Sequence, residues 1–288
     1  MKNIISWQLT RHIEKLKIPA YEDMLEILEP SIDVGRNTET GEWILNAFFD
    51  AEKNKTSIIS CVEIADNILK VSGEDLAPIY EDDWYEKAKH DFPAMEIARF
   101  FLHSFDEEVP LGMVGLKIPA GLAFGTGEHP TTAGCLTLYD TAIQTNSFKN
   151  CLDMGAGSGI LSMAAVKVQS TPCLAVDIDE LSVETCIENL KINEVDSKVE
   201  CICGDGFNTP EVSQKAPYDL IFANILMQPL LNMADDLVKT LAMGGTTILS
   251  GFLTEQEESI MENYEGLGLT QVGRFEMNNW VALSFIKR

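Results

Sequence analysis

A glycine-rich segment follows an apolar run in the middle of the chain. The run Leu152–Met154 leads into Gly155, and glycines then occupy every second position as far as Gly159, directly before an apolar stretch of helical character. Glycines at a strand-to-helix turn let the backbone bend tightly and let a ligand approach it without a Cβ in the way. The segment is therefore a candidate binding turn, with Gly155 and Gly157 as candidate contacts. A purely structural turn has the same pattern.

An acidic side chain ends the next apolar run. Asp177 lies 22 residues after Gly155, at the C-terminal end of a predicted strand. A carboxylate in this position can accept hydrogen bonds from both hydroxyls of a ribose. The turn and Asp177 together predict a nucleotide-type cofactor.

Two cofactors share this geometry, a nicotinamide dinucleotide and S-adenosylmethionine. The dinucleotide motif is Gly-x-Gly-x-x-Gly, which places the pyrophosphate at a helix N-terminus. Here the third glycine, Gly159, comes one residue early, and Ile160 occupies the position where the motif requires glycine. Asp153 also lies close to where a phosphate would bind. An acidic turn of this spacing favours S-adenosylmethionine, which has no phosphate and has a cationic amino-acid end.

Two further segments carry candidate site residues. Asn224 ends an apolar run at the carboxyl edge of a predicted central strand, where open α/β sheets bind ligands. Its amide can accept a hydrogen bond from an amine and orient the amine's lone pair, so we predict Asn224 as the catalytic residue. The segment Gly121–Thr132 is rich in glycine and threonine and predicts a loop that folds over the cofactor. The alternative is a loop with only a structural role, in which Thr131 or Thr132 caps the helix that follows.

The elements around these residues predict an α/β fold with two domains. From residue 150 onward, apolar strands alternate with amphipathic helices, which predicts a Rossmann-like, mostly parallel sheet with an antiparallel C-terminal hairpin. Residues 1–80 show the order β-α-β-β-α-β of a small ferredoxin-like α+β domain. Residues 81–110 are acidic, with helical potential from Trp84 to Phe101, and predict a linker helix and linker. Residues 111–288 then form the larger domain.

The apolar runs also give bounds for the elements of the larger domain. We predict strands at Cys151–Met154, Cys173–Asp177, Val199–Cys203, Leu220–Asn224, Thr246–Leu253, Leu269–Phe275 and Trp280–Ile286. We predict helices at Ala133–Ala142, Ile160–Val168, Glu180–Asn193, Pro229–Leu241 and Glu255–Leu267.

Composition limits the class of protein and its partners. The 288 residues are 45% hydrophobic, enough for a core, and 21 Lys and Arg against 45 Asp and Glu give a net charge of −24. Such a chain has few cations to neutralise phosphates, so we expect no direct nucleic-acid recognition and instead a cationic partner. The same charge is also compatible with solubility alone.

The remaining compositional features concern metals, disulfides and membranes. The seven cysteines include no Cys-x-x-Cys pair and the four histidines are scattered, so we expect neither a metal site nor a disulfide framework. No apolar run reaches the length of a membrane span, and the N-terminal residues do not resemble a secretory signal. We therefore expect a cytoplasmic protein without a membrane partner.

Four motifs together resemble the ribosomal protein L-11 methyltransferase family (PrmA). They are Phe124–Thr132, Asp153–Leu161, Val176–Asp179 and Ala223–Leu226. The resemblance covers the chain from about residue 80 to the end. It implies a class I methyltransferase sheet and S-adenosylmethionine as cofactor, with the cofactor-binding residues Thr132, Gly155, Gly157, Asp177 and Asn224.

The same resemblance implies N-methylation of lysine ε-amines, and of an N-terminal α-amine, on a Lys-rich ribosomal protein. Residues 1–80 then correspond to the family's substrate-recognition domain, and a monomer is favoured. The alternatives are an S-adenosylmethionine-dependent enzyme for another protein or a small-molecule amine, and a cofactor sensor without activity. A nucleic-acid methyltransferase is disfavoured, because such enzymes usually carry Asn/Asp-Pro-Pro-aromatic where this chain has Asn224–Leu226.

Overall fold

The structure is a computed structural model that describes residues 4–37, 40–80, 93–119 and 130–288. The chain divides into two compact units, Met1–Asp91 and Phe92–Arg288. No helix in the described ranges combines the length and the apolar composition that a bilayer crossing requires.

Within the described ranges, the first unit is an antiparallel sheet with two α-helices. Its elements are β1 (Ile4–Ile13), α1 (Ile18–Leu25), β2 (Ser31–Arg36), β3 (Trp43–Asp50), α2 (Lys55–Leu69), β4 (Ser72–Gly73) and β5 (Ala77–Tyr80). The strand order is β2-β3-β1-β4, and β5 also pairs with β1. This arrangement confirms the predicted ferredoxin-like unit.

Helix α2 shows how the sequence determines this unit. Its N-cap residue, Asn54, accepts hydrogen bonds from the backbone N–H groups of Thr56 and Ser57 at 2.9 and 3.2 Å. Such a cap satisfies donors that the first turn leaves without a helical partner. One face of the helix, which includes Ile58 and Val62, is buried in the core of the unit. These apolar residues recur at helical spacing, and α2 corresponds to the second helix of the predicted β-α-β-β-α-β order.

The second unit contains the larger sheet. Its first elements are β6 (Met95–Ile97), β7 (Phe100–His103), β8 (Val114–Lys117), α3 (Pro130–Ala142), β9 (Cys151–Met154), α4 (Ile160–Gln169), β10 (Cys173–Asp177), α5 (Glu180–Ile192) and β11 (Val199–Cys203). The chain continues with α6 (Pro210–Lys215), β12 (Tyr218–Asn224), α7 (Met227–Asn232), α8 (Ala234–Thr240), β13 (Leu241–Leu253), α9 (Glu257–Gly266), β14 (Leu269–Met277) and β15 (Trp280–Lys287).

Seven strands of this unit form one sheet in the order β11-β10-β9-β12-β13-β15-β14. The first five strands of this order pair in parallel, and β15 pairs antiparallel with both β13 and β14. The predicted parallel sheet with an antiparallel C-terminal hairpin is confirmed. After β9 the chain continues to β10 on one side, whereas β12 lies on the other side. This is a topological switch point, where a crevice opens at the carboxyl ends of the strands.

Two segments differ from the sequence prediction. The end of the predicted helical segment, residues 95–101, instead lies in β6 and β7, where buried Phe100 and Leu102 alternate with more exposed neighbours. Alternation and bulky aromatic residues favour a strand. The helix predicted at 229–241 is two helices, because Met233 between them has the non-helical angles φ −99° and ψ 2°.

Candidate active site

The glycine turn, residues 155–159, connects β9 to α4 at the carboxyl edge of the sheet. Gly155, Gly157 and Gly159 have φ angles of 70°, 53° and 77°, in the left-handed region that favours glycine. A Cβ on Gly155 would lie less than 3.0 Å from Cγ2 of Ile225, and a Cβ on Gly159 less than 3.0 Å from Sγ of Cys186. Both backbone conformation and space therefore require glycine at these two positions.

Asp177, at the end of β10, lies directly beside this turn. Its Oδ2 accepts a hydrogen bond from the backbone N–H of Gly157 at 2.8 Å, and its Oδ1 accepts one from the N–H of Asp179 at 3.1 Å. A carboxylate oxygen has two lone pairs, so each oxygen can accept a further hydrogen bond. The structure thus brings together two predicted site residues, Gly157 and Asp177, and the carboxylate retains acceptors for a ribose.

The other N–H groups of the turn are largely used within the protein. Gly155 and Ala156 donate to the carbonyl oxygen of Val176 at 2.8 and 3.1 Å, and Gly159 donates to that of Ala156 at 2.9 Å. A pyrophosphate requires N–H groups of the turn and helix N-terminus that point at it. The turn therefore fits a cofactor without phosphate groups better than a dinucleotide.

A buried carboxylate lies beneath the first turn of α4. The Oδ2 atom of Asp153 accepts hydrogen bonds from the N–H and Oγ of Ser162 at 2.9 and 2.7 Å. Burial raises the pKa of Asp153 to about 7, opposed by the Ser162 hydrogen bonds and assisted by the nearby charge of Asp177. The carboxyl group uses a helix N-terminal donor that would otherwise be available to a phosphate. This contact adds to the fit of a phosphate-free cofactor.

Asp153 gives the protein's stability a defined pH dependence. Its pKa rises from 3.8 to about 7 on folding, so its stabilising contribution is complete below pH 3.8 and is lost as the pH rises through about 7. Asp153→Asn keeps an oxygen for Ser162 but does not titrate. We expect the unfolding free energy of the wild type, relative to this variant, to be about 3 kcal/mol greater at pH 5 than at pH 8. Urea unfolding at both pH values measures this quantity, and an unchanged difference would contradict the assignment.

Asn224 ends β12 at the switch point, next to the glycine turn. It is paired with Ser250 of β13, and the N–H of Ile225 donates to the Ser250 carbonyl oxygen at 3.1 Å. The Asn224 side chain is half-buried and makes no hydrogen bond to any residue that the structure describes. Its amide is thus available to a ligand in the crevice.

Thr132 lies in the first turn of α3 and is buried. Within the described ranges no hydrogen bond joins it to the other four predicted site residues. The preceding segment 121–129, predicted to fold over the cofactor, lies outside the described residues, as does the acidic segment 81–92. The cofactor contact of Thr132 stays a prediction.

Sequence reasoning missed two contacts of the site. One is the contact of Ile225 with Gly155. The apolar run around Asn224 gave no signal for this contact, because the two residues follow strands that are far apart in the chain. The other is the pair of hydrogen bonds from Ser162 to Asp153, for which a serine within an otherwise apolar helix was a usable signal.

Of the residues that the structure describes, no three His, Cys, Asp or Glu side chains are placed to hold a metal ion.

A model of the family described as ribosomal protein L11 methyltransferase (PrmA) matches residues 11–288. The chain belongs to this family. A ribosomal protein L11 methyltransferase of a Caulobacter species is 38% identical over 85% of this chain and 83% of its own length. The corresponding protein of Rhizobium etli is 37% identical over 84% of each chain. The resemblance that the four motifs indicated is confirmed.

A solved structure shows the same fold. The ribosomal protein L11 methylase of Lactobacillus delbrueckii subsp. bulgaricus has a TM-score of 0.60 at 24% identity, and the match covers 68% of this chain and 98% of that chain. As a member of the L11 methyltransferase family, the protein is a methyltransferase with S-adenosylmethionine as its cofactor. This cofactor has no phosphate groups, and it therefore agrees with the contacts of the glycine turn.

Proposed function

We propose that the protein transfers methyl groups to lysine ε-amines, and to an N-terminal α-amine, of ribosomal protein L11. The named relatives are methyltransferases of that protein. The proposal rests on the Asn224 amide at the end of β12, beside the glycine turn. This amide makes no hydrogen bond to any residue that the structure describes. It offers one hydrogen-bonding group for an incoming amine at the edge where the cofactor would bind.

Gly155, Gly157 and Asp177 are the residues we expect to hold the cofactor, with Thr132 as a further predicted ligand. S-adenosylmethionine supplies an electrophilic methyl group on a sulfonium. The turn contributes its backbone at Gly157, which has no side chain and whose φ of 53° favours glycine. The space that a Cβ on Gly155 would need is taken by Cγ2 of Ile225. The Asp177 carboxylate contributes acceptors for the ribose hydroxyls. These roles use atoms that the described contacts leave available.

Asn224 positions the amine. A lysine side chain has a pKa of ~10.4 in water, so it must lose a proton before its nitrogen can act as a nucleophile. An apolar surrounding disfavours the charged amine, and Ile225 and Leu226 directly follow Asn224 in the chain. We expect Asn224 Oδ1 to accept a hydrogen bond from the neutral amine and hold its lone pair toward the methyl group. Solvent takes the proton that the lysine ammonium loses before the transfer.

The first unit supplies the substrate-recognition domain in this proposal. A net charge of −24 favours encounter with a cationic protein. A cleft of this unit is lined by carboxylates, which attract such a partner: Glu22, Asp23, Glu26 and Glu29. A cytoplasmic, monomeric enzyme is the form that we propose.

Methyl-labelled S-adenosylmethionine tests the proposal directly. The full chain is incubated with purified L11, with an unrelated basic protein and with ribosomal RNA, and labelled residues are located by mass spectrometry. We expect label on L11 amines only. Label on RNA would refute L11 as the substrate. The absence of label on L11 under conditions where the cofactor binds would refute it as well.

A variant that lacks residues 1–80 separates the protein substrate from a small-molecule one. The second unit has hydrophobic cores of its own, so cofactor binding provides the check that it has folded. We expect loss of L11 methylation with retained cofactor binding. An enzyme for a small amine should keep its activity without these residues.

A further inference from the structure

Ile225 lies between two glycines that belong to different strand ends. On one side, its Cγ2 methyl occupies the space that a Cβ of Gly155 would need, at less than 3.0 Å. On the other side, its backbone N, C and O atoms lie less than 3.0 Å from the position of a Cβ on Gly251. Both faces of Ile225 are thus in close contact with positions that only glycine can occupy.

Gly251 is the centre of an irregularity in β13. Its φ angle is 98°, and the pairing with β15 shifts register between Ser250 and Phe252. A side chain at this position would meet backbone atoms of Ile225, which cannot rotate away as a flexible side chain can. The irregularity therefore allows the chain after Asn224 to pass close to β13.

We propose that Ile225 is a positioning residue, whose Cγ2 methyl sets the spacing between the glycine turn and the Asn224 amide. This inference rests on the proposed function of Asn224. Because isoleucine branches at Cβ, its χ1 angle is restricted, and the Cγ2 position is fixed relative to the backbone. Asn224 is the adjacent residue, so a shift of Ile225 against Gly155 moves the amide as well. Methyl transfer depends on such sub-ångström placement.

Two substitutions of Ile225 separate positioning from apolar volume. Ile225→Val keeps the Cγ2 methyl and loses one carbon, whereas Ile225→Leu keeps the number of carbons and loses the branch at Cβ. We expect Val to retain kcat within about threefold and Leu to lower it about 20-fold or more. We also expect Leu, but not Val, to weaken binding of S-adenosylhomocysteine, measured by calorimetry. If only apolar volume mattered, Ile225→Val would lower kcat more than Ile225→Leu, and that result would overturn the proposal.

A double variant supplies a second readout. If Ile225 acts through Asn224, Asn224→Ala with Ile225→Leu should be no slower than Asn224→Ala alone. Fully additive losses would contradict the proposal. The calorimetric comparison uses no L11, so it can fail independently of the proposed substrate. Wild-type labelling of L11, measured in parallel, reports on the substrate itself.

Gly251→Ala tests the other contact and has a matched control. Gly268 has a similar φ angle of 89°, but nothing lies within 4 Å of a Cβ at that position. We expect Gly251→Ala to lower kcat about 20-fold or more at a temperature where it is folded, and Gly268→Ala to leave kcat unchanged. Equal kcat values for the two variants would overturn the proposed contact.

Discussion

Asn224→Ala is expected to lower kcat for L11 methylation about 100-fold, because an amine without its hydrogen-bonding partner loses the orientation that transfer requires. The affinity for S-adenosylmethionine should change less than about threefold, that is, by well under 1 kcal/mol. The described contacts support this separation, since no hydrogen bond joins the Asn224 side chain to the glycine turn or to Asp177. Stopped-flow kinetics and calorimetry measure the two quantities separately.

Asn224→Asp is the matched variant for this prediction. It keeps a side-chain oxygen as acceptor and loses the N–H donors. Activity of the Asp variant well above that of the Ala variant would support an acceptor role toward the amine. Equal losses of rate and of cofactor affinity in Asn224→Ala would show that the residue is only a cofactor ligand.

Asp177→Ala is expected to weaken binding of S-adenosylmethionine by about 1–3 kcal/mol, or about 5- to 150-fold in Kd. Two losses combine in this variant. The acceptors for the ribose hydroxyls disappear, and the N–H of Gly157 loses its 2.8 Å hydrogen bond to the carboxylate. The glycine turn thus loses an internal restraint together with a ligand contact. Calorimetric titration of both proteins with the cofactor measures the difference.

Asp179 provides the control for Asp177. It lies two residues further on and caps α5. Its Oδ2 accepts hydrogen bonds from the N–H and the Oγ of Ser182 at 3.0 and 2.9 Å. Asp179→Ala should therefore lower the stability of the protein through the lost cap, with little effect on cofactor affinity. Similar Kd values for wild type and Asp177→Ala would refute the ribose assignment.

The strands around the site could be predicted from the sequence because each of them is a short, largely apolar run. The bounds of β9, β10 and β11 agree with the prediction residue for residue. Buried parallel strands appear as short continuous apolar runs between turns. The turn at Gly155 and the carboxylate of Asp177 follow such runs directly, so their place at one edge of the sheet was predictable as well.

Contacts between distant segments could not be predicted in the same way. The short strands β6 and β7 occur where a helix was predicted, and they are stabilised by the pairing of β6 with β7 and of β7 with β8. The contacts of Ile225 with Gly155 and Gly251 join three strand ends that are far apart in the chain. Only the order of strands in the folded sheet brings them together.

A crystal structure of the protein with S-adenosylhomocysteine would show directly whether Asp177 and Asn224 have the roles proposed for them. We expect both ribose hydroxyls within about 3 Å of the Asp177 carboxylate, the nucleoside against the glycine turn, and the Asn224 amide facing the sulfur. A nucleoside bound away from Asp177, or an Asn224 amide turned away from the sulfur, would contradict these roles.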